Sequence, residues 1–533
     1  MIDLPRPNMT SLKRRLKNAL LSVGQGRGLP AWKPATPHFA LNLTMVVLTA
    51  ASMLMAAPAA QTTAKSTSTA ASKTSTKKSP TRKRKYRSSV GKPDPAAAHA
   101  KKSPLKTAAR KVVTSPAALR RRVVLPRGPK VSAHDRAEAH EGVFMKVATG
   151  ADIPVENAGA LVPFFEQLYR HQKGEMAGPL RILQYGDSHT AADEWTGDLR
   201  ERFQEKFGDG GSGYSFAGRP WNGYRRLDVR TGSTRGWHTD GLVGRSGDGI
   251  YGLGGVSMST MQPRESIYLL AEGQQFELFY LQQPGGGAIQ IYDNGGLVER
   301  ISTDGEAAPG YYHYETVPGS HRLEAETLDH APVRLFGWVA ENSTGVTYET
   351  LGINGAQASI MLNWNDTTLK SNIERRNPAL IVVAYGTNEA GRKDWTLASY
   401  RDMFLQLIAR LREAAPAATL LMIGPPDRFI HSRKGWTEMD SIDMIVEAQR
   451  QAATSSGCAF WDLRSKMGGK GSMQQWVQAG MAQNDHVHFT GAGYKVLGDA
   501  MFRDLMSQYD IFLKARADIV AEAPAVLPTA AKQ

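Results

Sequence analysis

The chain has one cysteine, Cys458, in 533 residues. No intramolecular disulfide can form, which excludes the disulfide-stapled secreted folds. Cys458 opens the run Cys458-Ala459-Phe460-Trp461-Asp462, which reads as a buried strand in which the thiol is core filler. Acidic residues are nearly missing from residues 61–130, where 20 Lys or Arg stand against one acid, Asp94. That stretch also has few large apolar side chains and is rich in Ser, Thr, Ala and Pro. It cannot bury enough surface to offset its ordering entropy, so residues 61–134 are predicted to be a disordered basic linker.

The overall formal charge of +15 therefore does not describe the folded part. Residues 1–60 add seven basic residues against Asp3, which leaves residues 131–533 at a net charge of −10. Runs such as Arg82-Lys83-Arg84-Lys85 would bind nucleic acid nonspecifically in a cytosolic protein, by neutralising phosphates. Here they follow an apolar stretch, Phe39 to Ala57, that ends in Ala57-Pro58-Ala59-Ala60-Gln61, a small-residue pattern like a signal-peptidase site. Residues 1–60 thus read as a leader with a signal peptide or an uncleaved membrane anchor, and the protein as periplasmic. Behind such a leader the basic linker keeps itself solvated or meets anionic envelope polymers or a membrane surface. No specific nucleic-acid partner is expected.

Four short stretches supply chemistry: Gln184-Tyr185-Gly186-Asp187-Ser188-His189-Thr190, Gly352-Ile353-Asn354-Gly355-Ala356, Tyr385-Gly386-Thr387-Asn388-Glu389 and Asp485-His486-Val487-His488-Phe489-Thr490. A serine hydroxyl becomes a useful nucleophile only beside a base, and that base needs an orienting carboxylate. Ser188, His488 and Asp485 fit those roles, and the three-residue step from Asp485 to His488 lets one tight turn set carboxylate against imidazole. Taken singly, each stretch has a plainer reading: Gly-Asp-Ser as a surface turn, Asn354-Gly355 as a turn pair, Asn388 as a helix cap. Asp187-x-His189 and His486-x-His488 have the look of metal-binding pairs. That look resembles the binuclear metallophosphoesterases, but the further Gly-Asp-x-x-Asp and Gly-Asn-His-Asp/Glu elements of that family do not accompany them, so neither a metal nor a cofactor is expected.

Apolar runs at Leu180–Tyr185, Val346–Ile353, Ala379–Tyr385, Thr419–Ile423 and Cys458–Asp462 read as buried parallel strands. Helical patterns follow at Ala191–Phe207, Leu397–Ala414, Ser441–Thr454 and Gly491–Met506. This alternation predicts a three-layer α/β domain over 135–207 and 346–515, with a disordered tail over 516–533. Residues 208–345 are too many for a connection. Their short alternating runs, among them Ser266–Ala271, Phe276–Gln282, Gly310–Thr316 and His321–Thr327, predict an inserted antiparallel β-sandwich. Tyr311, Tyr312, Tyr314 and Trp338 on that module would either stack on sugars or fill its core and interface.

The four motifs and their order resemble the SGNH (GDSL-type) hydrolases, whose core is flavodoxin-like. The resemblance implies a serine esterase with Ser188, His488 and Asp485 as triad. It also implies an oxyanion hole from the N–H of Ser188, the N–H of Gly355 and the side chain of Asn388, with Gly352 as a rival to Gly355. A sandwich inserted after the first block is similar to a group of bacterial peptidoglycan O-acetylesterases, in which the insert resembles a carbohydrate-binding module. On that likeness the expected substrate is acetylated peptidoglycan or another acetylated polysaccharide. A lipid esterase and a noncatalytic glycan-binding envelope protein are the alternatives.

Overall fold

Five parallel strands make the central sheet: β1 (Leu180–Gly186), β2 (Val346–Gly352), β3 (Leu380–Ala384), β4 (Thr419–Ile423) and β5 (Ala459–Trp461), in the order β2-β1-β3-β4-β5. They belong to a computed structural model that describes residues 131–149, 155–245, 247–433 and 435–522. The sequence-based expectations for the leader and for most of the basic linker lie outside the described residues. The strand order is that of flavodoxin-like sheets, and ligands in such sheets bind at the carboxyl ends where the order reverses, here between β1 and β3.

The pleat explains why these strands read as continuous apolar runs. Leu183, Tyr185, Ile381, Val383, Leu420 and Met422 point to one core, and Ile182, Val382, Leu421 and Ile423 point to the other. Successive side chains of a strand alternate faces, so a sheet covered on both sides needs apolar residues at every position. Helices Asp366–Arg376, Leu397–Ala414 and Ser441–Ser455 cover the first face; Ala133–Thr149, Val162–Gln172, Glu194–Phe207 and Gly491–Glu522 cover the second. Helix 397–414 shows the local cause. Thr396 and Ser399 form a capping box at its start, and Tyr400, Met403, Phe404, Leu407, Ile408 and Leu411 recur at helical spacing on its buried face.

Two helices depart from the expectation. The first is interrupted: Ser188–Ala191 and Glu194–Phe207 are separate, with Asp193 between them at φ +56°. The fully buried Asp193 carboxylate offsets that break by accepting from Arg200, the Thr350 hydroxyl and the Leu227 N–H. The last helix runs to Glu522 rather than Met506, so it enters the span read as a tail. Leu505, Met506 and Tyr509 continue its apolar face, Tyr509 donates to Gln172 at 2.8 Å, and Arg516 pairs with Glu166.

The insert is antiparallel, as expected, and its nine strands are hydrogen-bonded in one continuous order. The runs read as separate strands are joined: Ser266–Gln282 and Ala308–Thr327 are single long strands paired along their length. A register shift between Gly273 and Gln275 changes the alternation, so that Ile267, Leu269 and Ala271 before it and Phe276 and Leu278 after it all enter one apolar cluster. Without that extra residue the second half would turn its apolar side outward. The opposite face of the second half, with Phe279 and Leu281, joins the core above the central sheet. Trp338 is fully buried in the insert's own core, Tyr311 donates to Asn372 on helix 366–376, and Tyr314 donates to Asp293. These rings serve core and interface.

Candidate active site

β1 ends at Gly186, Asp187 caps the next turn by accepting the His189 N–H at 2.9 Å, and Ser188 is the first helical residue. A helix this close to the sheet needs bare backbone beneath it. A Cβ on Gly186 would lie 2.1 Å from Thr190 Oγ1, and one on Gly352 would lie 2.2 Å from the Ala191 nitrogen. Gly352 is therefore a packing residue in a paired strand. Gly355, its rival from the same motif, is exposed in a turn at φ +77° with open space around it.

The structure brings Ser188, His488 and Asp485 together although they span 300 residues. Ser188 Oγ lies 2.9 Å from His488 Nε2, and His488 Nδ1 lies 2.7 Å from Asp485 Oδ2. The other oxygen, Oδ1, accepts the N–H groups of Val487 and His488 at 3.0 Å each, so one turn locks carboxylate and imidazole together. Burial raises the Asp485 carboxyl, but the hydrogen bonds from His488 and the backbone outweigh it and hold the group at about 2. The same hydrogen bond is the largest influence on His488 and raises its pKa, against burial. The pair can thus store a proton on imidazole beside a permanent carboxylate, which is what a base for Ser188 requires.

Asn388 makes no side-chain cap bond. Its Nδ2 donates to the Ala356 carbonyl at 2.9 Å, which fixes the amide against the turn that carries Gly355. An amide nitrogen has two hydrogens, so one remains for a ligand. The N–H of Ser188, in the first turn of its helix, likewise has no partner within the helix.

Three neighbours carry no role in the sequence reading. Glu389 is fully buried and bridges two motifs: it accepts the Ala358 N–H at 2.7 Å and the Gly386 N–H at 3.1 Å, and the Tyr400 hydroxyl at 3.3 Å. Burial pushes its carboxyl up to about 7. Arg428 donates to the Thr387 carbonyl, next to Asn388, and its charge acts on Asp187, Asp485 and His488. Asp187 is buried, which pushes its carboxyl up to about 6. Glu389 stood inside a quoted motif, but its fit to two N–H groups from different loops has no sequence signature. Arg428 follows a strand end in an unremarkable string.

The two histidines left out of the triad have other partners. His189 is buried, lies 3.0 Å from the Tyr494 hydroxyl through Nδ1, and is pushed down to about 3 by desolvation. His486 stacks on Trp436 with centroids 3.9 Å apart and meets Gln474 through Nε2 at 2.9 Å.

Residues 317–496 match the GDSL-like Lipase/Acylhydrolase family. Among solved structures, the chain is similar to a peptidoglycan O-acetylesterase, with 27% identity over 66% of this chain and 96% of that one and a TM-score of 0.56. A family two carbohydrate esterase from Cellvibrio japonicus also matches, at 13% identity over 54% of this chain and 99% of that one, with a TM-score of 0.24. No curated protein sequence matches. The family match takes in the turn of Gly355, Asn388 and the Asp485–His488 loop but begins beyond Ser188, because the insert parts the first motif from the rest. With Ser188, His488 and Asp485 in one hydrogen-bonded line above a flavodoxin-like sheet, the chain is a serine esterase with a GDSL-like acylhydrolase match over residues 317–496.

Proposed function

We propose that the protein is an exported carbohydrate O-acetylesterase that removes O-acetyl groups from peptidoglycan N-acetylmuramic acid. The observation that carries the chemistry is the line from Ser188 through His488 to Asp485. Ser188 Oγ attacks the acetyl carbonyl while His488 takes its proton. The oxyanion that forms is met by the N–H groups of Ser188 and Gly355 and by Asn388 Nδ2. His488 then protonates the departing sugar hydroxyl, and the acetyl-enzyme is hydrolysed by a water that gives its proton to the same imidazole.

The choice of substrate rests on the likeness to the peptidoglycan O-acetylesterase. The 66% of this chain that it covers exceeds what the α/β core alone contains, so the likeness reaches into the inserted sheet. Export, and a periplasmic or membrane-held location, rest on the Phe39–Ala57 segment and the small residues after it. The test is acetate release by the purified protein from O-acetylated peptidoglycan, with acetylated xylan and a long-chain acyl ester in parallel. Release from peptidoglycan above the other two supports the reading. Preference for the long acyl ester would replace it with a lipid esterase.

A further inference from the structure

A cleft of about 340 Å³ opens beside Gly355, and the two lobes of the chain build it jointly. One wall is the insert loop Gly241-Leu242-Val243-Gly244, which follows the short strand His238–Asp240. The other is the segment after the Gly355 turn, with Gln357, Ser359, Ile360 and Asn363, and Tyr251 and Trp364 also line it. Arg392, four residues beyond Asn388, closes one end. Both loops that carry the side-chain and backbone donors assigned to the oxyanion thus continue into this cleft.

The lining has a definite chemistry. Val243 is 52% exposed, and its Cγ2 is the nearest atom to the space above Gly355, at 4.0 Å from where a Cβ would stand. Leu242 and Ile360 are half-buried on the core beneath. Against these stand the short polar side chains of Ser359 and Asn363, which make no hydrogen bond among the described residues, and Gln357, whose Nε2 donates to the Asn388 carbonyl at 3.5 Å. The only charged group in the lining, Arg392, is paired with Asp394. An apolar surface edged by uncommitted hydroxyl and amide groups, with no uncompensated charge, suits a neutral pyranose: C–H faces on one side and hydroxyls at the rim. It suits neither a long acyl chain, which needs apolar walls throughout, nor a carboxylate, which needs a free cation.

We propose that this cleft holds the sugar ring that bears the acetyl ester, so that the insert loop at Val243 sets substrate specificity. The proposal rests on the carbohydrate esterase reading above and names where that carbohydrate sits. It makes the insert part of the active-site wall through loop 241–244.

The test compares full-length wild type with Val243→Trp, which fills the cleft, and with the pair Ser359→Ala/Asn363→Ala, which removes two rim hydrogen-bonding groups. The quantity read is the ratio of kcat/KM on an acetylated glycan oligosaccharide to kcat/KM on 4-nitrophenyl acetate. Both variants should lower that ratio by about tenfold, the size expected from two lost hydrogen bonds or a blocked ring, with the change in KM for the glycan. All three side chains lie on loops or a short turn, and thermal unfolding checks that the variants fold. A ratio within about twofold of wild type in both folded variants overturns the cleft while leaving the esterase reading intact. Wild type that cleaves 4-nitrophenyl acetate but releases no acetate from any glycan overturns both.

Discussion

Replacing Glu389 with Gln should flatten the fall in stability between pH 5 and pH 8. Glu389 is wholly buried, and burial pushes its carboxyl up to about 7 from a usual 4.5, against hydrogen bonds that favour the charged form. A carboxyl raised on folding contributes its stability below the unfolded pKa and loses it as pH rises through the folded one. The window is therefore roughly pH 4.5 to 7, and the loss between pH 5 and 8 comes to about 2 to 3 kcal/mol at 1.36 kcal/mol per pKa unit. Asp187, held at about 6, adds a loss of the same sign, while His189, pushed down to about 3, adds a gain as pH rises towards 6.5; both are common to the two proteins and cancel in the comparison, and Asp485, held at about 2, acts only at more acid pH. Urea unfolding followed by tryptophan fluorescence at pH 5 and 8 reads the difference. The Glu389→Gln protein should show a drop smaller than wild type by about 2 kcal/mol, because its side chain cannot ionise. Equal drops in the two proteins would mean that Glu389 keeps an ordinary carboxyl and that the burial argument fails. The reasoning also explains why such a costly group is tolerated. When ionised, Glu389 is the stronger acceptor for the Gly386 and Ala358 N–H groups, and so ties the Asn388 loop to the segment after Gly355.

Changing Ser188 to Ala should abolish ester hydrolysis with unfolding unchanged, since the half-buried hydroxyl hydrogen-bonds only to His488 among the described residues; near-wild-type turnover in the purified variant would reject the mechanism. Asn388→Ala should lower kcat by about 10²- to 10³-fold with little change in KM, as for a donor that acts on the developing oxyanion. A change confined to KM would make Asn388 a ground-state binding group. Arg428→Met should move the acid limb of the kcat/KM profile to higher pH, because the guanidinium opposes protonation of His488. An unmoved limb would show that Arg428 acts only through its bond to the Thr387 carbonyl, and a limb moved to lower pH would refute the charge argument.

The sequence was most informative where one residue type answers one physical demand. Strands covered on both faces must be apolar throughout, which made β1, β3 and β4 legible to within a residue or two. Asp485 and His488 were legible because a three-residue step closes a turn whose carboxylate accepts two backbone N–H groups. Long-range compensation was illegible. Nothing in the string at Asp193 announces a left-handed residue, since its stabilising partners, Arg200, Thr350 and Leu227, come from three separate segments. The long insert strands were read as pairs of short ones because the bulge near Gly273 breaks the alternation that period-based reading depends on. Tyr311 and Tyr314 carried the signal of a sugar platform equally well as that of an interface, and their partners Asn372 and Asp293 decide the matter only in three dimensions.

The insert can interrupt a flavodoxin-like core because the chain enters and leaves it at one point. Outgoing residues 208–210 run beside returning residues 342–346. Val346 donates to the Gly208 carbonyl at 2.9 Å, Gly210 to Val346 at 3.2 Å and Asn342 to Gly210 at 3.0 Å. The backbones approach so closely that a Cβ on Gly345 would lie 2.3 Å from the Asp209 carbonyl carbon, and one on Gly210 would lie 2.7 Å from that of Val346. The glycines of this stem serve contact between two strands of chain. Closing the stem brings β2 alongside β1 as though no residues lay between them, with Leu180 opposite Val346 and Gly186 opposite Gly352. The core keeps its Ser188 turn above the β1 and β2 ends. From that anchored base the insert reaches back with Leu242 and Val243 to the far side of Gly355. An insertion held only by a flexible tether would leave the active site as it is in the bare core. One held by a hydrogen-bonded stem and a shared apolar core can change the site's walls without touching its chemistry.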